Sequence, residues 1–255
     1  TSALSAKIKA DGSLGAWTPL TSFSGGRRWH VSVVNNGYLD ILGGYTDSGF
    51  PLNTPIYYND VQVTKLKADG TLTSPNLSGC SGAVWCATSS FTTARALPTT
   101  GVYNGYVYIV GGGASASLLS DVQVARFNSD GSLGAWAATT SLSETKYFGG
   151  GFAANGYLYV VDGTANSGYN TVSYAPIYAD GKIGPWSVTT PSNITVRYNN
   201  TAQYYNGYLY TIAGQTSNTY LGSTEYATLK PAGENSPSVS LTPLPAALGD
   251  AATVV

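Results

Sequence analysis

The sequence has no methionine, a single histidine (His30) and two cysteines among its 255 residues. Each scarcity excludes something. Any Ser-His-Asp arrangement would have to use His30. Two cysteines with no histidine cluster nearby make a weak metal site, and no metal centre or other cofactor is expected. Only 10% of the residues are charged, 12 basic against 13 acidic, so no field arises that would draw in nucleic acid or an anionic membrane. No apolar run approaches the length that spans a bilayer. There is no phosphate loop, zinc spacing or nucleotide fingerprint, and no segment sustains a 3.6-residue period. The chain opens at Thr1 without a signal peptide, and reads as a mature or excised segment of a longer protein.

Low charge without disorder needs large apolar side chains, and 20 tyrosines and five tryptophans supply them. Cys80 and Cys86 lie six apart in the Gly/Ser-rich stretch SGCSGAVWC, where a local disulfide is expected, and with it export. Sequons at Asn76, Asn193 and Asn199 are compatible with glycosylation, although such triplets also arise by chance in this composition.

Internal periodicity organises the rest. Asn-Gly-Tyr begins at Asn36, Asn104, Asn155 and Asn206, each time followed by an apolar stretch: Tyr38–Leu42, Tyr106–Val110, Tyr157–Val161 and Tyr208–Ile212. These stretches end at Gly43-Gly44, Gly111-Gly112, Asp162-Gly163 and Ala213-Gly214. Asp-Gly recurs at Asp11, Asp69, Asp130 and Asp180, with Ala232-Gly233 as a degenerate fifth; Trp17, Trp136 and Trp186 follow six residues later. After Asp69 the tryptophan is Trp85, displaced by a ten-residue insertion that carries both cysteines. A second insertion of about seven residues falls in 45–59.

Asn-Gly and Asp-Gly accept positive φ at both turn positions, so each marks a tight hairpin. One unit then reads as four antiparallel strands: a first rich in small or polar residues, an apolar second, a third like Asp121-Val-Gln-Val, and a fourth carrying the tryptophan. Small residues suit strands crowded round an axis, and apolar runs suit strands buried on both faces.

An apolar strand ending in Gly-Gly, a basic residue before the first strand and a tryptophan in the fourth resemble the kelch repeat. The variants DGSLGAW and NGYLYVVDG are similar to repeats of bacterial secreted and surface proteins, and the whole resembles the central domain of galactose oxidases. The resemblance implies an all-β propeller of about five blades, one of them incomplete or shared between the termini. A single domain over 1–255 is expected, divided into a half blade 1–24, repeats 25–91, 92–142, 143–192 and 193–245, and a first strand 246–255. The departures are the lost Gly-Gly of the third and fourth units and the missing tryptophan of the last. Kelch propellers include enzymes, adhesins and scaffolds, so the resemblance speaks to fold. A copper centre of the galactose-oxidase kind would lack its second imidazole.

Nine residues before each Asn-Gly stand Arg27, Arg95, Lys146 and Arg197, with Leu248 as a non-basic fifth. Two readings stand: a ring of cations that binds carboxylates, acidic sugars or an acidic loop, or side chains that bond backbone carbonyls between blades. Trp29 and His30 adjoin this ring, placed to stack on a sugar or to pack a blade junction. The longer loops Tyr45–Asn59, Gly113–Ser120, Thr164–Asn170 and Gln215–Gly222 share that face, and Tyr57, Tyr169 and Tyr220 are their candidate aromatic anchors. No catalytic residue is assigned. Asp60 and Asp121 precede third strands as loop caps.

The expectation is an extracellular, secreted or cell-surface recognition or adhesion module, which takes a glycan or protein on the longer-loop face. The alternatives are a structural propeller of a larger surface assembly and a carbohydrate-active enzyme. Expected partners are that ligand, other domains of a longer chain or further copies; nucleic acid and membrane insertion are not expected.

Overall fold

A computed structural model of the chain describes residues 3–47, 54–115, 117–164, 169–189, 195–217 and 219–248. The chain is all-β, and three of the sheets among its described residues are four-stranded, antiparallel and consistent with propeller blades. No helix among the described residues is long and apolar enough to cross a membrane. The strands gather into two compact units, Thr1–Ala96 with Arg126–Trp136, and Leu97–Ala125 with Ala137–Val255.

The first unit opens on a two-stranded sheet of β1 (Ala3–Ser5) and β2 (Thr18–Leu20). It continues through β3 (Val31–Asn35), β4 (Tyr38–Leu42), β5 (Tyr45–Asp47), β6 (Pro55–Tyr57), β7 (Val61–Leu66), β8 (Leu72–Thr73) and β9 (Cys86–Thr88). Strands β3, β4, β7 and β8 pair in that order with β9 also on β7, while β5 and β6 form a separate hairpin. The second unit holds three sheets. They are β10 (Thr99–Tyr103), β11 (Tyr106–Ala114), β12 (Ser117–Arg126) and β13 (Ala137–Thr139); β14 (Gly150–Ala154), β15 (Tyr157–Val161), β16 (Val172–Pro176) and β17 (Ser187–Thr189); and β18 (Thr201–Tyr205), β19 (Tyr208–Ile212), β20 (Thr224–Thr228) and β21 (Val239–Ser240).

Turn chemistry fixes the register. Asn36, Asn104, Asn155 and Asn206 are all left-handed, with φ of 48, 48, 51 and 48°, and the glycine after each is positive too. The Gly-Gly position keeps its shape where its glycine is lost: Asp162 (φ 57°) and Ala213 (φ 56°) adopt the conformation of Gly111 (φ 57°). The second glycine then donates its amide to the carbonyl of the next repeat's basic position. Gly44 reaches Arg95 at 2.8 Å, Gly112 reaches Lys146 at 2.9 Å and Gly214 reaches Leu248 at 3.0 Å, so Leu248 does hold the fifth such position.

Two of the expected loops are strands instead. Gly113–Ser120 is mostly absorbed into β11 and β12, and Tyr45–Asn59 contains the β5–β6 hairpin, because backbone groups at a loop base pair when a partner strand lies within reach. The tryptophans stand one residue before the fourth strand rather than in it. Their indoles link sheet to sheet: Trp85 Nε1 donates to the Thr21 carbonyl, Trp136 to Ser89 and Trp186 to Thr140, at 2.8, 2.9 and 2.9 Å.

Small residues on the first strands let backbones meet. A β-carbon at Gly151 would lie 1.9 Å from Thr99 Cγ2, and one at Gly150 2.6 Å from the Ala202 amide. The second strands are the core, with Val107–Val110 and Leu158–Val161 fully buried. The two turn motifs also interlock. The Asp-Gly glycine of one repeat lies on the Asn-Gly-Tyr ring of the repeat before it, and its missing side chain is what admits the ring. A β-carbon at Gly131 would meet Tyr38 at 2.3 Å, one at Gly181 Tyr106 at 2.4 Å, and one at Gly233 Tyr157 at 2.8 Å.

Candidate functional site

The four basic residues fold inward. The Arg27 guanidinium grips Asp60 with two bonds of 2.6 and 3.0 Å, donates to the Gly43 carbonyl at 3.0 Å, and lies 3.8 Å over the Tyr58 ring. Gln62 holds the same Asp60 carboxylate, and these partners keep Asp60 below the usual carboxylate range against the opposing effect of burial. Arg197, fully buried, pairs with Glu225 and donates to the Ala213 carbonyl and Ser223 Oγ at 2.9 and 3.1 Å. Arg95 is fully buried, with Nε on the Thr93 carbonyl at 3.1 Å and its guanidinium 5.6 Å from the Phe91 ring. Lys146 donates to Thr171 Oγ1 at 3.0 Å beneath the Tyr169 ring, 5.0 Å away. Burial lowers the Lys146 ammonium from its ordinary value, and Glu144 and Asp162 oppose that shift.

The counter-charge thus comes from a different place for each of three of them: the residue before the third strand (Asp60), the strand itself (Glu225), or the residue two before the cation (Glu144, 3.6 Å from Lys146). None of the four cationic heads is open to solvent. A ligand that reached them would have to displace the partners that hold them, and the exposed chemistry lies beside Arg27.

That exposed chemistry sits where the inserted segment of the first full repeat meets the residues before its first strand. Backbone bonds of 2.9 Å in both directions join Arg28 to Tyr45 on β5, which pairs with Tyr57 on β6. Trp29, left-handed at φ 58°, stacks on Tyr45 with centroids 5.2 Å apart and planes at 20°. Tyr57 tilts against the same Tyr45 at 5.2 Å. The Arg28 guanidinium lies 4.6 Å from the Trp29 ring and 5.0 Å from Tyr45, and closes an ion pair with Asp47 at 2.8 Å. The Tyr45 hydroxyl donates to Asp47 as well, and that bond holds the phenol above its ordinary value. An open cleft of about 260 Å³ is lined by Gly26, Arg27, Arg28, Tyr45, Thr46 and Asp47. Trp29 remains 39% exposed and the Arg28 side chain 57%.

Of the residues singled out in the sequence, Trp29 and Tyr57 both meet Tyr45, and Arg28 and Asp47, which were not singled out, edge them. The Arg27-Arg28 pair was the available signal, since only one of two adjacent cations can turn inward. His30 turns to the junction: its ring meets Phe23 edge-on at 5.7 Å, and burial with the nearby Arg27 charge lowers its pKa, leaving a neutral imidazole at pH 7. Tyr169 shields Lys146, and Tyr220, 63% exposed, lies in the second unit. Cys80 and Cys86 form a disulfide with Cα atoms 5.7 Å apart, as expected from their spacing and compatible with an extracellular protein. Asn76 is exposed and Asn199 half-buried, while Asn193 lies outside the described residues.

No family model matches the chain, and no curated protein matches it in sequence.

Proposed function

We propose that the chain is an extracellular recognition module of kelch-repeat type that takes a glycan or protein ligand on the β5–β6 hairpin of its first full repeat. One observation carries this reading. Trp29, Tyr45 and Tyr57 are brought together beside an open cleft and edged by the Arg28–Asp47 pair, where the insertion of the first full repeat meets the residues before its first strand. Rigid rings give contact area at low entropy cost, and the ion pair offers donors and acceptors that a hydroxyl-rich ligand satisfies. Among ligands the sugar fits best, having an apolar C–H face for the rings and hydroxyls for Arg28 and Asp47. The disulfide supports placement outside the cell.

A glycan array with the intact chain, repeated with an Arg28→Ala/Asp47→Ala variant, tests the proposal. The pair is solvent-exposed and contributes at most about 1 kcal/mol to folding, so the variant keeps its unfolding midpoint. Binding to whichever glycans the parent retains is expected to fall by about tenfold or more. Unchanged binding by the folded variant refutes the assignment, and a parent that binds no glycan but captures a protein turns it to the protein ligand.

A further inference from the structure

The Asp-Gly turns of the first unit are flanked by cations. Four and two residues before Asp11 stand Lys7 and Lys9, and at the same distances before Asp69 stand Lys65 and Lys67. Arg126 stands four before Asp130. All five belong to the first unit, and all five are exposed. In the second unit the same places hold Pro176, Tyr178 and Thr228, with Lys230 alone charged.

Contacts between repeats join these cations into one surface. The Lys65 ammonium lies 5.7 Å over the Tyr38 ring, and that ring covers Gly131, in the turn that follows Arg126. The nearest atom to a β-carbon built on Gly70, in the turn that follows Lys67, is Ser5 Oγ at 3.9 Å, on the strand that leads into Lys7. The surface lies at the Asn-Gly end of β4, whereas the β5–β6 hairpin follows the other end.

No carboxylate closes on these cations. None of the five makes an ion pair among the described residues. The turn aspartates are engaged within their own turns. Asp11 accepts the Ser13 amide and hydroxyl at 2.9 and 2.7 Å, Asp69 those of Thr71 at 2.9 and 2.6 Å, and Asp130 those of Ser132 at 3.0 and 2.7 Å. The Thr71 bonds, more than the nearby Lys67 charge, hold Asp69 below the usual carboxylate range. In the second unit the turn cations are paired: Lys182 with Asp180 at 3.6 Å and Lys230 with Glu234 at 3.5 Å. The first unit's turns therefore keep five cations against three carboxylates, while those pairs of the second unit balance.

We infer that the turn face of the first unit is a docking surface for an acidic polysaccharide, whose carboxylates settle on Lys7, Lys9, Lys65, Lys67 and Arg126. Four of the five are lysines, compact charges on flexible stems that follow dispersed anionic groups along a flexible polymer. They lack the planar fork that suits the bidentate recognition of nucleic acid. The choice of a polysaccharide among polyanions also rests on the extracellular placement proposed above.

The test titrates the intact chain by calorimetry with a galacturonate oligomer and with its methyl ester, which has the same sugars without the charge. Saturable binding of the acid form is expected, about tenfold or more tighter than that of the ester. Raising salt from about 50 to about 200 mM should weaken it about tenfold or more, because each cation that settles on the polymer releases a counterion. Lys65→Gln/Lys67→Gln/Arg126→Gln should weaken binding about tenfold or more at an unchanged unfolding midpoint. Lys65→Arg/Lys67→Arg, which keeps the charge, should bind within about twofold of the parent. Absence of saturable binding overturns the inference, as does equal affinity for the methyl ester. So does an equal loss on Lys182→Gln/Lys230→Gln, which removes the paired cations of the second unit. Duplex DNA or phosphatidylglycerol vesicles bound more tightly than the oligomer would overturn it in favour of nucleic acid or a membrane surface.

Discussion

Replacing Asp40 with asparagine is expected to change how stability depends on pH. Asp40 lies in the middle of β4, across from Val33 on β3 and Val63 on β7, at the place taken by Tyr108, Tyr159 and Tyr210 in the other repeats. Its side chain is fully buried, neither carboxyl oxygen has a hydrogen-bond partner, and burial pushes its pKa up to about 7. An unfolded carboxylate titrates near ~3.9, and each tenfold in proton affinity is worth about 1.4 kcal/mol, so the difference amounts to ~4 kcal/mol. Since the folded value lies above the unfolded one, the contribution is complete below about pH 4, falls as pH rises through about 7, and is gone above it. Asparagine has nearly the same shape and no proton to exchange. Urea unfolding of both proteins at pH 4.5 and pH 8 should therefore show near-equal stability in acid and an Asp40→Asn advantage of about 2–4 kcal/mol at pH 8. A difference between the two proteins that does not change with pH would refute this reading of the Asp40 environment.

Gly151→Ala should cost about 1–3 kcal/mol in urea unfolding, because the new methyl collides with Thr99 on the neighbouring first strand; an unchanged midpoint would mean that these strands are not in contact. Arg197→Ala strands the Glu225 carboxylate in the interior and should cost about 3–5 kcal/mol, with Glu225→Leu added on top recovering much of it. If the single variant keeps both stability and fold but loses ligand, the cation serves binding after all. Trp136→Phe removes one indole bond to Ser89 and should lower stability by about 1 kcal/mol while leaving glycan binding intact.

Much of this architecture was legible because turn chemistry is local. The Asn-Gly turns take positive φ at both residues, whereas the Asp-Gly turns take it at the glycine alone and not at both as expected, and the spacing of the two motifs carried strand positions and even the register of Leu248. The direction of the cationic side chains was not legible. Arg27 meets Asp60, just before the third strand, 33 residues away, and Arg197 meets Glu225, within that strand of its own repeat, 28 residues away. A long flexible side chain reads alike in sequence whether it turns in or out. The candidate site was half legible: aromatic residues on an insertion were visible, but the pairing of β5 with β6 that gathers Trp29, Tyr45 and Tyr57 depends on backbone bonds that composition does not reveal. The interlock of the two turn motifs escaped for a related reason. Each glycine is fully explained by its own turn, so nothing local hints that Gly131, Gly181 and Gly233 also make room for a ring.

That interlock is what couples one repeat to the next, and the α-proton resonances of four glycines test it most directly. Ring currents from Tyr38, Tyr106 and Tyr157 should move the Gly131, Gly181 and Gly233 signals upfield of ordinary turn glycines, while Gly70, which has no ring over it among the described residues, stays at the ordinary position. Four glycines at ordinary positions, or Gly70 shifted with the rest, would contradict the account.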